Sequence, residues 1–320
     1  MALPKITIIT PSYNQGQFLD QCIESVLEQN YPDFEYLIFD GGSTDESVEV
    51  ITRYQQHLHF WISEPDKGQS DAINKGFKRA SGDIVAWLNA DDYYLPGAFD
   101  LVGEAYKERP DAAFYFGNGL RVDEDRTPKG SFFPEGRVQF CLDALVFGLN
   151  YILQPATFIN HAPLLKAGFL DPSLNYGMDT DLWIRLAHEG PPVAINKLLA
   201  ASREYSNTKT ATGGFERIEE LRQIAQKHSG MAFTPGVLCY FLDTLHQFSS
   251  EHEDIFPPEF RGHIESFWGS TSQLLKRHGA TPDGFPDISS TPKKQVFEST
   301  VQRKYLALTK KIKQVFGSSF

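Results

Sequence analysis

The sequence predicts an α/β fold, in which a mostly parallel sheet is flanked by helices and followed by an α-helical C-terminal extension. Short apolar runs alternate with amphipathic segments over roughly the first 100 residues, which is typical of βαβ units around a parallel sheet. Polar clusters directly follow three of the apolar runs. From about Phe215 onward the apolar spacing is helical throughout, which predicts the extension.

The first unit begins with a β-rich run over residues 6–10, which we expect to end at Pro11. Apolar side chains then recur three and four apart over 18–28, which predicts an amphipathic helix. A second strand is predicted over 34–39, and Ser43 or Thr44 is expected to cap the helix after it. The remaining predicted elements are strands at 60–63, 84–88, 113–116 and 157–159 and helices at 71–80, 176–190, 215–228, 236–248 and 258–278.

Composition excludes several classes of protein. The 320 residues carry a formal net charge of −11, which argues against a general nucleic-acid binder because phosphate binding needs basic surface. Cys22, Cys141 and Cys239 form neither a disulfide framework nor a zinc pattern. Apolar runs stay well short of the roughly 18–20 residues of a membrane span. We therefore expect a soluble protein of the reducing cytoplasm.

Three polar clusters lie at the predicted carboxyl ends of strands, at 10–14, 40–43 and 89–92. Ligands of such sheets bind beyond these ends, so we expect the clusters to line one crevice. The carboxylates of Asp91 and Asp92 repel each other, and Mg²⁺ or Mn²⁺ shared with phosphate oxygens would relieve that repulsion. The alternative is that one of the two caps the next helix.

Other polar residues near these ends have both a functional and a plain interpretation. Tyr13 could stack on a nucleobase and Asp40 could bind a base or ribose, or both could be ordinary loop residues. Asp179 and Asp181 begin a predicted helix, where acidic residues suit the helix dipole. One of these two carboxylates could instead be a general base.

Five segments carry a family resemblance, in order and over roughly residues 5–210. They are ITIITPSYNQGQFLDQCIESVLEQNYP, YLIFDGGSTDES, SEPDKGQSDAINKGFKRASGDIVAWLNADD, LQPATFI and YGMDTDLWIRLA. Together they resemble the inverting family 2 glycosyltransferases of the GT-A (Rossmann-like) fold. We therefore expect a catalytic domain over 1–212, a helical extension over 213–280, a linker over 281–294 and a basic amphipathic helix over 295–320.

The resemblance implies a nucleoside site formed by the loop after the first strand and by two aspartates. The residues implied for this nucleoside site are Pro11, Tyr13, Asp40 and Asp71, together with Thr10 at the start of the same loop. The Asp-x-Asp motif of the family reads Asn89-Ala90-Asp91 here. The resemblance thus implies that Asp91 binds Mg²⁺ or Mn²⁺ and that Asn89 contacts ribose, with Asp92 in support.

The resemblance implies that Asp179 is the catalytic base, with Asp181 as the less favoured alternative. A later strand of the family often offers a His near the metal, and Tyr205 stands at that place in this chain. We expect Lys209 or Arg203 to face the diphosphate instead.

The activity that the resemblance implies is transfer of a sugar, from a UDP-sugar by preference, to an acceptor hydroxyl with inversion. The expected setting is synthesis of polysaccharide, O-antigen or another cell-surface glycan, with a glycan or lipid-linked acceptor. The alternatives are a non-catalytic sugar-nucleotide-binding protein and a sugar nucleotidyltransferase, which would need a phosphate-grasping loop after the first strand. The basic C-terminal helix could contact the inner face of a membrane, or dock on this chain, on a partner or in a homo-oligomer.

Overall fold

The computed structural model describes residues 3–133, 138–251, 258 and 261–266. Met1–Thr244 forms one compact unit and a second unit begins at Leu245. The predicted boundary after residue 212 therefore falls inside the first unit. The predicted linker, the predicted basic helix and most of the helix predicted over 258–278 lie outside the described residues.

Within the described ranges, nine strands form a single sheet in the first unit. They are β1 (Ile6–Ser12), β2 (Phe34–Asp40), β3 (Phe60–Ser63), β4 (Ile84–Trp87), β5 (Tyr93–Tyr94), β6 (Phe114–Val122), β7 (Pro128–Ser131), β8 (Thr157–Asn160) and β9 (Val193–Arg203). Their order is β3-β2-β1-β4-β8-β6-β9-β5, and β7 pairs with β6.

Ten helices accompany the sheet in the described part of the chain. They are α1 (Gly16–Leu27), α2 (Ser47–Tyr54), α3 (Gln69–Arg79), α4 (Ala98–Glu108), α5 (Leu142–Val146), α6 (His161–Ala167), α7 (Met178–Glu189), α8 (Lys209–Thr212), α9 (Gly214–Ser229) and α10 (Pro235–Glu251). None of the described helices combines the length and the apolar character needed to cross a bilayer.

The predicted fold class is confirmed, and the structure adds that the sheet is mixed. Strands β3, β2, β1 and β4 are parallel, as their alternation with helices predicts. Strand β8 then pairs antiparallel with β4 and with β6, while β6 and β9 are parallel. The carboxyl ends of β1, β2 and β4 consequently share one edge of the sheet.

Two local predictions at this edge were wrong. Strand β1 continues through Pro11, which pairs with Phe39 of β2. Pairing of β1 with β4 has already ended at Ile9, so the missing N–H of Pro11 interrupts no ladder on that side. Neither Ser43 nor Thr44 caps α2, because the helix begins only at Ser47, with Glu46 at its N-cap position. The Ser43 hydroxyl oxygen instead accepts the Asn14 N–H.

The pattern also did not predict helix α4 or the long strand β9. The register of β9 against β6 shifts on both sides of Asn118, so the apolar alternation that marks a strand is interrupted.

Candidate active site at the carboxyl ends of the strands

Asp91 lies in the turn after β4 and is bonded to Tyr205. The Tyr205 hydroxyl donates to Asp91 Oδ2 at 3.0 Å, and Gln15 Nε2 donates to that hydroxyl at 3.4 Å. Burial raises the pKa of Asp91, and the bond from Tyr205 opposes that rise. Burial also raises the pKa of Tyr205, so the phenol stays neutral and orients Asp91.

Asp92 supports the turn that carries Asp91. Its Oδ1 accepts the backbone N–H of Arg203 at 2.9 Å, and its side chain is buried. Burial and then the neighbouring charge of Asp91 raise the pKa of Asp92 well above its ordinary value. Asp92 therefore ties the end of β9 to the turn that carries Asp91.

Arg203 does not face the crevice, which corrects the expectation that it meets the diphosphate. It is 6% exposed. Its Nε donates to the Asp91 backbone carbonyl at 2.9 Å, Nη1 to Glu124 O at 2.6 Å and Nη2 to Gln21 Oε1 at 2.7 Å. The guanidinium carbon also lies 4.4 Å from the centroid of the Phe18 ring. Arg203 holds the main chain of the Asp91 turn.

The donor set at Asp91 fits a cation that is shared with substrate. Among the described residues, no three His, Cys, Asp or Glu side chains lie together as a metal cage. Mg²⁺ commonly takes one or two carboxylates from the protein and its other ligands from water and substrate phosphates. Asp91 supplies such a carboxylate, so the residues present suit a cation held jointly with a diphosphate.

A chain of hydrogen bonds, which we name the polar string, crosses the same edge of the sheet. Lys209 Nζ donates to Gln69 Oε1 at 3.0 Å, and Gln69 Nε2 donates to Asn89 Oδ1 at 2.8 Å. Asn89 Nδ2 then donates to Gln154 Oε1 at 3.1 Å, and Gln154 Nε2 donates to Trp87 O at 2.8 Å. Both ends of the Asn89 amide are thus fixed.

Lys209 brings positive charge to this polar string. Burial lowers its pKa, because the charged ammonium is partly removed from water. Gln69 and Gln154 were not predicted as site residues, although both stand inside segments that carry the family resemblance.

The predicted nucleoside residues occupy very different environments. Thr10 is fully buried and its hydroxyl hydrogen-bonds the Tyr36 hydroxyl at 3.0 Å, so its side chain serves the core and only its backbone is left for the predicted nucleotide contact. Pro11 is also buried in β1, so its side chain is not presented to the crevice. Tyr13, by contrast, is 63% exposed. Its ring borders Gly41, where a Cβ would lie 3.3 Å from Tyr13 Cδ2.

Asp40 shapes the loop after β2. Its Oδ2 accepts the N–H groups of Gly42 and Ser43 at 3.1 and 2.9 Å and the Ser63 hydroxyl at 2.6 Å. Gly42 has a φ of 82°, a conformation that favours glycine. Asp71, in the first turn of α3, accepts from the Lys67 N–H at 3.2 Å.

Asp179 lies in the first turn of α7 and is half-buried. Its Oδ1 accepts the N–H of Thr180 at 2.7 Å, and its Oδ2 accepts from Asn150 Nδ2 at 3.3 Å. Burial raises the pKa of Asp179, and the bonds from Thr180 and Asn150 oppose that rise. A half-buried carboxylate with a raised pKa is suited to accepting a proton.

Asp181 is a structural ion-pair partner, which removes it as the alternative base. Its side chain is 1% exposed and lies 2.8 Å from each of Arg185 Nε, Lys227 Nζ and His228 Nε2. Burial opposes ionisation, but the hydrogen bonds from His228, Lys227 and Arg185 outweigh it and hold the pKa of Asp181 well below its ordinary value. Both oxygens are occupied by cationic donors.

Glu220 of α9 holds the segment that leads into α7. Its carboxylate accepts the backbone N–H groups of Asn175, Tyr176 and Gly177 at 2.7, 2.6 and 2.6 Å. A Cβ at Gly177 would lie 2.5 Å from Ile224 Cδ1, so the two helices are in close contact there. Nothing in the local sequence pattern signals this role.

Known proteins resemble this chain in sequence over the segments that carry the candidate site. The sequence profile of glycosyl transferase family 2 matches residues 7–157. The chain is 33% identical over 210 residues to TuaG, a Bacillus subtilis glycosyltransferase named for teichuronic acid biosynthesis, with 64% of this chain and 81% of that protein covered. An uncharacterized glycosyltransferase of Mycobacterium tuberculosis is 29% identical over 200 residues, with 61% of this chain and 74% of that protein covered.

Solved structures share the fold. TarS residues 1–349 of S. aureus, in complex with UDP-GlcNAc, aligns with a TM-score of 0.57 and 17% identity over 85% of this chain and 81% of that one. The mannosyltransferase PcManGT of Pyrobaculum calidifontis, in complex with GDP-Man and Mn²⁺, aligns with a TM-score of 0.56 and 16% identity over 100% and 89% of the two chains. These likenesses show the GT-A fold.

Proposed function

Because the chain belongs to glycosyl transferase family 2, we propose that it transfers a sugar with inversion from a nucleotide-sugar donor, a UDP-sugar by preference, to an acceptor hydroxyl. The observation that carries the proposal is Asp179, a half-buried carboxylate with a raised pKa in the same compact unit as the Asp91 turn. The donor diphosphate would lie at Asp91, and the acceptor hydroxyl would lie at Asp179.

The donor would lie along the edge formed by β1, β2 and β4. Tyr13 offers an exposed ring to a nucleobase, and Asp71 supplies an acceptor for nucleoside N–H or hydroxyl groups. Asp40 is 2% exposed and already accepts from Gly42, Ser43 and Ser63, so it would serve the nucleoside by holding the loop after β2. The polar string fixes the Asn89 amide, which would meet a ribose hydroxyl, and the Lys209 ammonium, which would meet the diphosphate. The nucleotide sugars in the titles of the TarS and PcManGT structures support this class of donor.

Asp91 would hold Mg²⁺ or Mn²⁺ together with the donor diphosphate. When bound, the cation would offset negative charge that develops on the departing nucleoside diphosphate. Tyr205 would keep Asp91 oriented through its hydroxyl, and Arg203 would hold the Asp91 main chain. We expect nucleotide affinity to fall in Asp91→Ala and to fall in the native protein with chelator. Unchanged affinity in both cases would contradict this role.

Asp179 would accept the proton of the acceptor hydroxyl. The acceptor oxygen would bond the anomeric carbon from the face opposite the diphosphate, while the bond from that carbon to the diphosphate oxygen breaks. The proton remains on the Asp179 carboxylate and the electron pair leaves with the nucleoside diphosphate. A single displacement inverts the anomeric configuration and requires one base.

The test compares Asp179→Asn with native protein across a panel of sugar nucleotides. Asp111→Asn is the control, since Asp111 is exposed and pairs with Arg109 away from the crevice. We expect acceptor-dependent release of nucleoside diphosphate by the native protein and the control, and a fall of about 10²–10⁴-fold in Asp179→Asn. Release of pyrophosphate from a nucleoside triphosphate and a sugar 1-phosphate would indicate a nucleotidyltransferase, and tight binding of a sugar nucleotide without turnover would indicate a sugar-nucleotide binder.

The proposed setting is synthesis of polysaccharide, O-antigen or another cell-surface glycan on a glycan or lipid-linked acceptor, which the name of the TuaG relative supports. Contact with the inner face of a membrane and homo-oligomer formation remain predictions from the sequence. Residues 295–320, on which the membrane prediction rests, lie outside the described residues.

A further inference from the structure

Arg217 carries a positive charge that, among the described residues, no carboxylate balances by a direct ion pair. It stands in the first turn of α9 and is half-buried, with its guanidinium carbon 5.2 Å from the centroid of the Tyr240 ring. Within the described ranges this ring contact is the side-chain interaction of Arg217, and no hydrogen bond or ion pair accompanies it. Arg185 and Arg222, in contrast, each donate to a carboxylate at 2.7–2.8 Å.

The Arg217 side chain is connected to the proposed base through two residues. The Tyr240 hydroxyl donates to the Asn150 backbone carbonyl at 3.4 Å, and Asn150 Nδ2 donates to Asp179 Oδ2 at 3.3 Å. The positive charge of Arg217 also lowers the pKa of Asp179, against the larger effect of burial. Arg217, Tyr240 and Asn150, which we name the acceptor cluster, therefore adjoin Asp179.

A second group in this cluster lacks a partner. Asn150 Oδ1 is buried and accepts no hydrogen bond from the described residues. A buried acceptor without a donor costs free energy, as does a partly buried cation without an anion. A ligand that carries both a hydroxyl and a negative charge would satisfy Asn150 and Arg217 together.

The cluster differs from the polar string in how its cation is held. The Lys209 ammonium donates to Gln69, which bonds the Asn89 amide, and it also interacts electrostatically with Glu220 and Asp179. Arg217 instead stacks on Tyr240, whose hydroxyl bonds the residue that donates to Asp179. A guanidinium at this place suits bidentate bonding to a planar carboxylate or to a phosphate.

We propose that Arg217, Tyr240 and Asn150 form an acceptor subsite that recognises an anionic group, a carboxylate or a phosphate, on the acceptor sugar. The guanidinium bonds the anion, the Tyr240 ring supports the guanidinium, and Asn150 Oδ1 accepts a hydroxyl of the same sugar. The subsite rests on the proposed function, because it positions the acceptor beside Asp179.

The test measures binding to full-length protein with UDP and Mn²⁺ present. The probes are methyl β-glucuronide, methyl β-glucoside 6-phosphate and the neutral methyl β-glucoside. We expect at least one charged probe to bind about tenfold or more tightly than the neutral one, as a charge-assisted bidentate pair implies. The stronger of the two charged probes identifies carboxylate or phosphate as the natural group.

Three variants assign the preference to Arg217. Arg217→Gln should lose the preference for charged probes. Arg217→Lys should keep part of that preference, because an ammonium retains the charge but lacks the planar, bidentate geometry of a guanidinium. Arg222→Gln on the same helix is the control and should keep the preference for charged probes, since Arg222 pairs with Glu219. Circular dichroism establishes that each variant is folded.

Equal binding of charged and neutral probes, no binding of either charged probe, or a preference that survives in Arg217→Gln would overturn the proposal. Failure of the proposed function is a separate result, in which native protein releases no nucleoside diphosphate from any sugar nucleotide. A chain that releases nucleoside diphosphate without preferring anionic probes contradicts the acceptor subsite alone.

Discussion

Trp87 and Trp183 stack against each other, with ring centroids 5.4 Å apart and ring planes 15° from parallel. Both side chains are fully buried. Trp87 ends β4, four residues before Asp91, and Trp183 follows Asp179 by four residues in α7. The stacked pair therefore packs the helix that carries the proposed base against the strand that leads to the proposed metal residue.

Truncation of this pair should destabilise the protein strongly. Trp183→Ala removes a fully buried aromatic side chain and leaves a cavity, which costs about 3–5 kcal/mol of unfolding free energy. Urea denaturation followed by far-UV circular dichroism measures the loss. Trp61→Phe, at a half-buried position in β3, should cost well under half as much. A loss of less than about 1 kcal/mol in Trp183→Ala would contradict the packing role.

Removal of Glu220 should lower kcat more than it changes donor KM. Its carboxylate fixes three backbone N–H groups directly before α7, so Glu220→Ala frees the start of the helix that carries Asp179. Misplacement of a catalytic group by about 1 Å costs on the order of 10²-fold in rate. Steady-state kinetics of nucleoside diphosphate release measures both constants.

The matched control for this change is Glu219→Ala on the same helix. Glu219 is exposed and pairs with Arg222, so its loss should leave kcat within about twofold of native. Partial recovery of kcat in Glu220→Gln, which keeps one acceptor oxygen, would support positioning. Equal loss in the Glu219 and Glu220 variants would argue against it.

The ion pairs of Asp181 should make stability depend on pH in acid. The pKa of Asp181 in the folded state is well below the ordinary value of about 3.9, so its contribution is fully present above that value. The contribution is lost as the pH falls below about 4 toward the folded pKa. Asp181→Asn should therefore cost about 3 kcal/mol at pH 7, and the difference from native should shrink below pH 4.

Urea denaturation of both proteins between pH 7 and pH 3 measures this difference. Asp111→Asn, at an exposed pair with Arg109, should change stability little at any pH. A difference for Asp181→Asn that stays constant across the range would contradict the linkage.

The acid limb of the activity profile should depend on Asn150. Asp179 must be ionised to accept a proton, so activity falls as the pH drops through its raised pKa. The Asn150 amide favours the ionised carboxylate, hence Asn150→Ala should raise the Asp179 pKa and move the acid limb to higher pH. The measurement is kcat/KM against pH.

The control for this profile is Asn175→Ala, because Asn175 is exposed and contacts Glu220 only through its backbone N–H. Its acid limb should coincide with that of the native protein. An acid limb that moves to lower pH in Asn150→Ala would show that the amide does not stabilise the Asp179 carboxylate.

Local spacing of apolar residues was sufficient to predict much of the fold. Strands β1 to β4 and helices α1, α3, α7 and α9 were predicted close to their observed bounds, because a period of two or 3.6 is visible within a few residues. Strand β9 was not predicted, because its ladder with β6 changes register and its alternation is broken.

The position of a residue was predictable where it follows directly from its strand or helix. Asp91 lies just after β4 and Asp179 at the start of α7, as the local pattern predicts, while their roles stay proposals. The side-chain partners of Thr10 and Arg203 were not predictable, because they stand far along the chain. Sequence position shows that a residue is near a strand end, but it does not show which way its side chain points.

The sequence by itself determined the α/β order of elements and the acidic residues at their ends. Only the tertiary structure decided between Asp179 and Asp181, which stand two residues apart in the same helical turn. Asp181 pairs with Arg185 of its own helix and with Lys227 of α9, 46 positions further along the chain, while Asp179 is bonded by the neutral amide of Asn150. The difference is physical: two paired cations hold one carboxylate ionised, whereas burial beside an amide leaves the other able to take a proton.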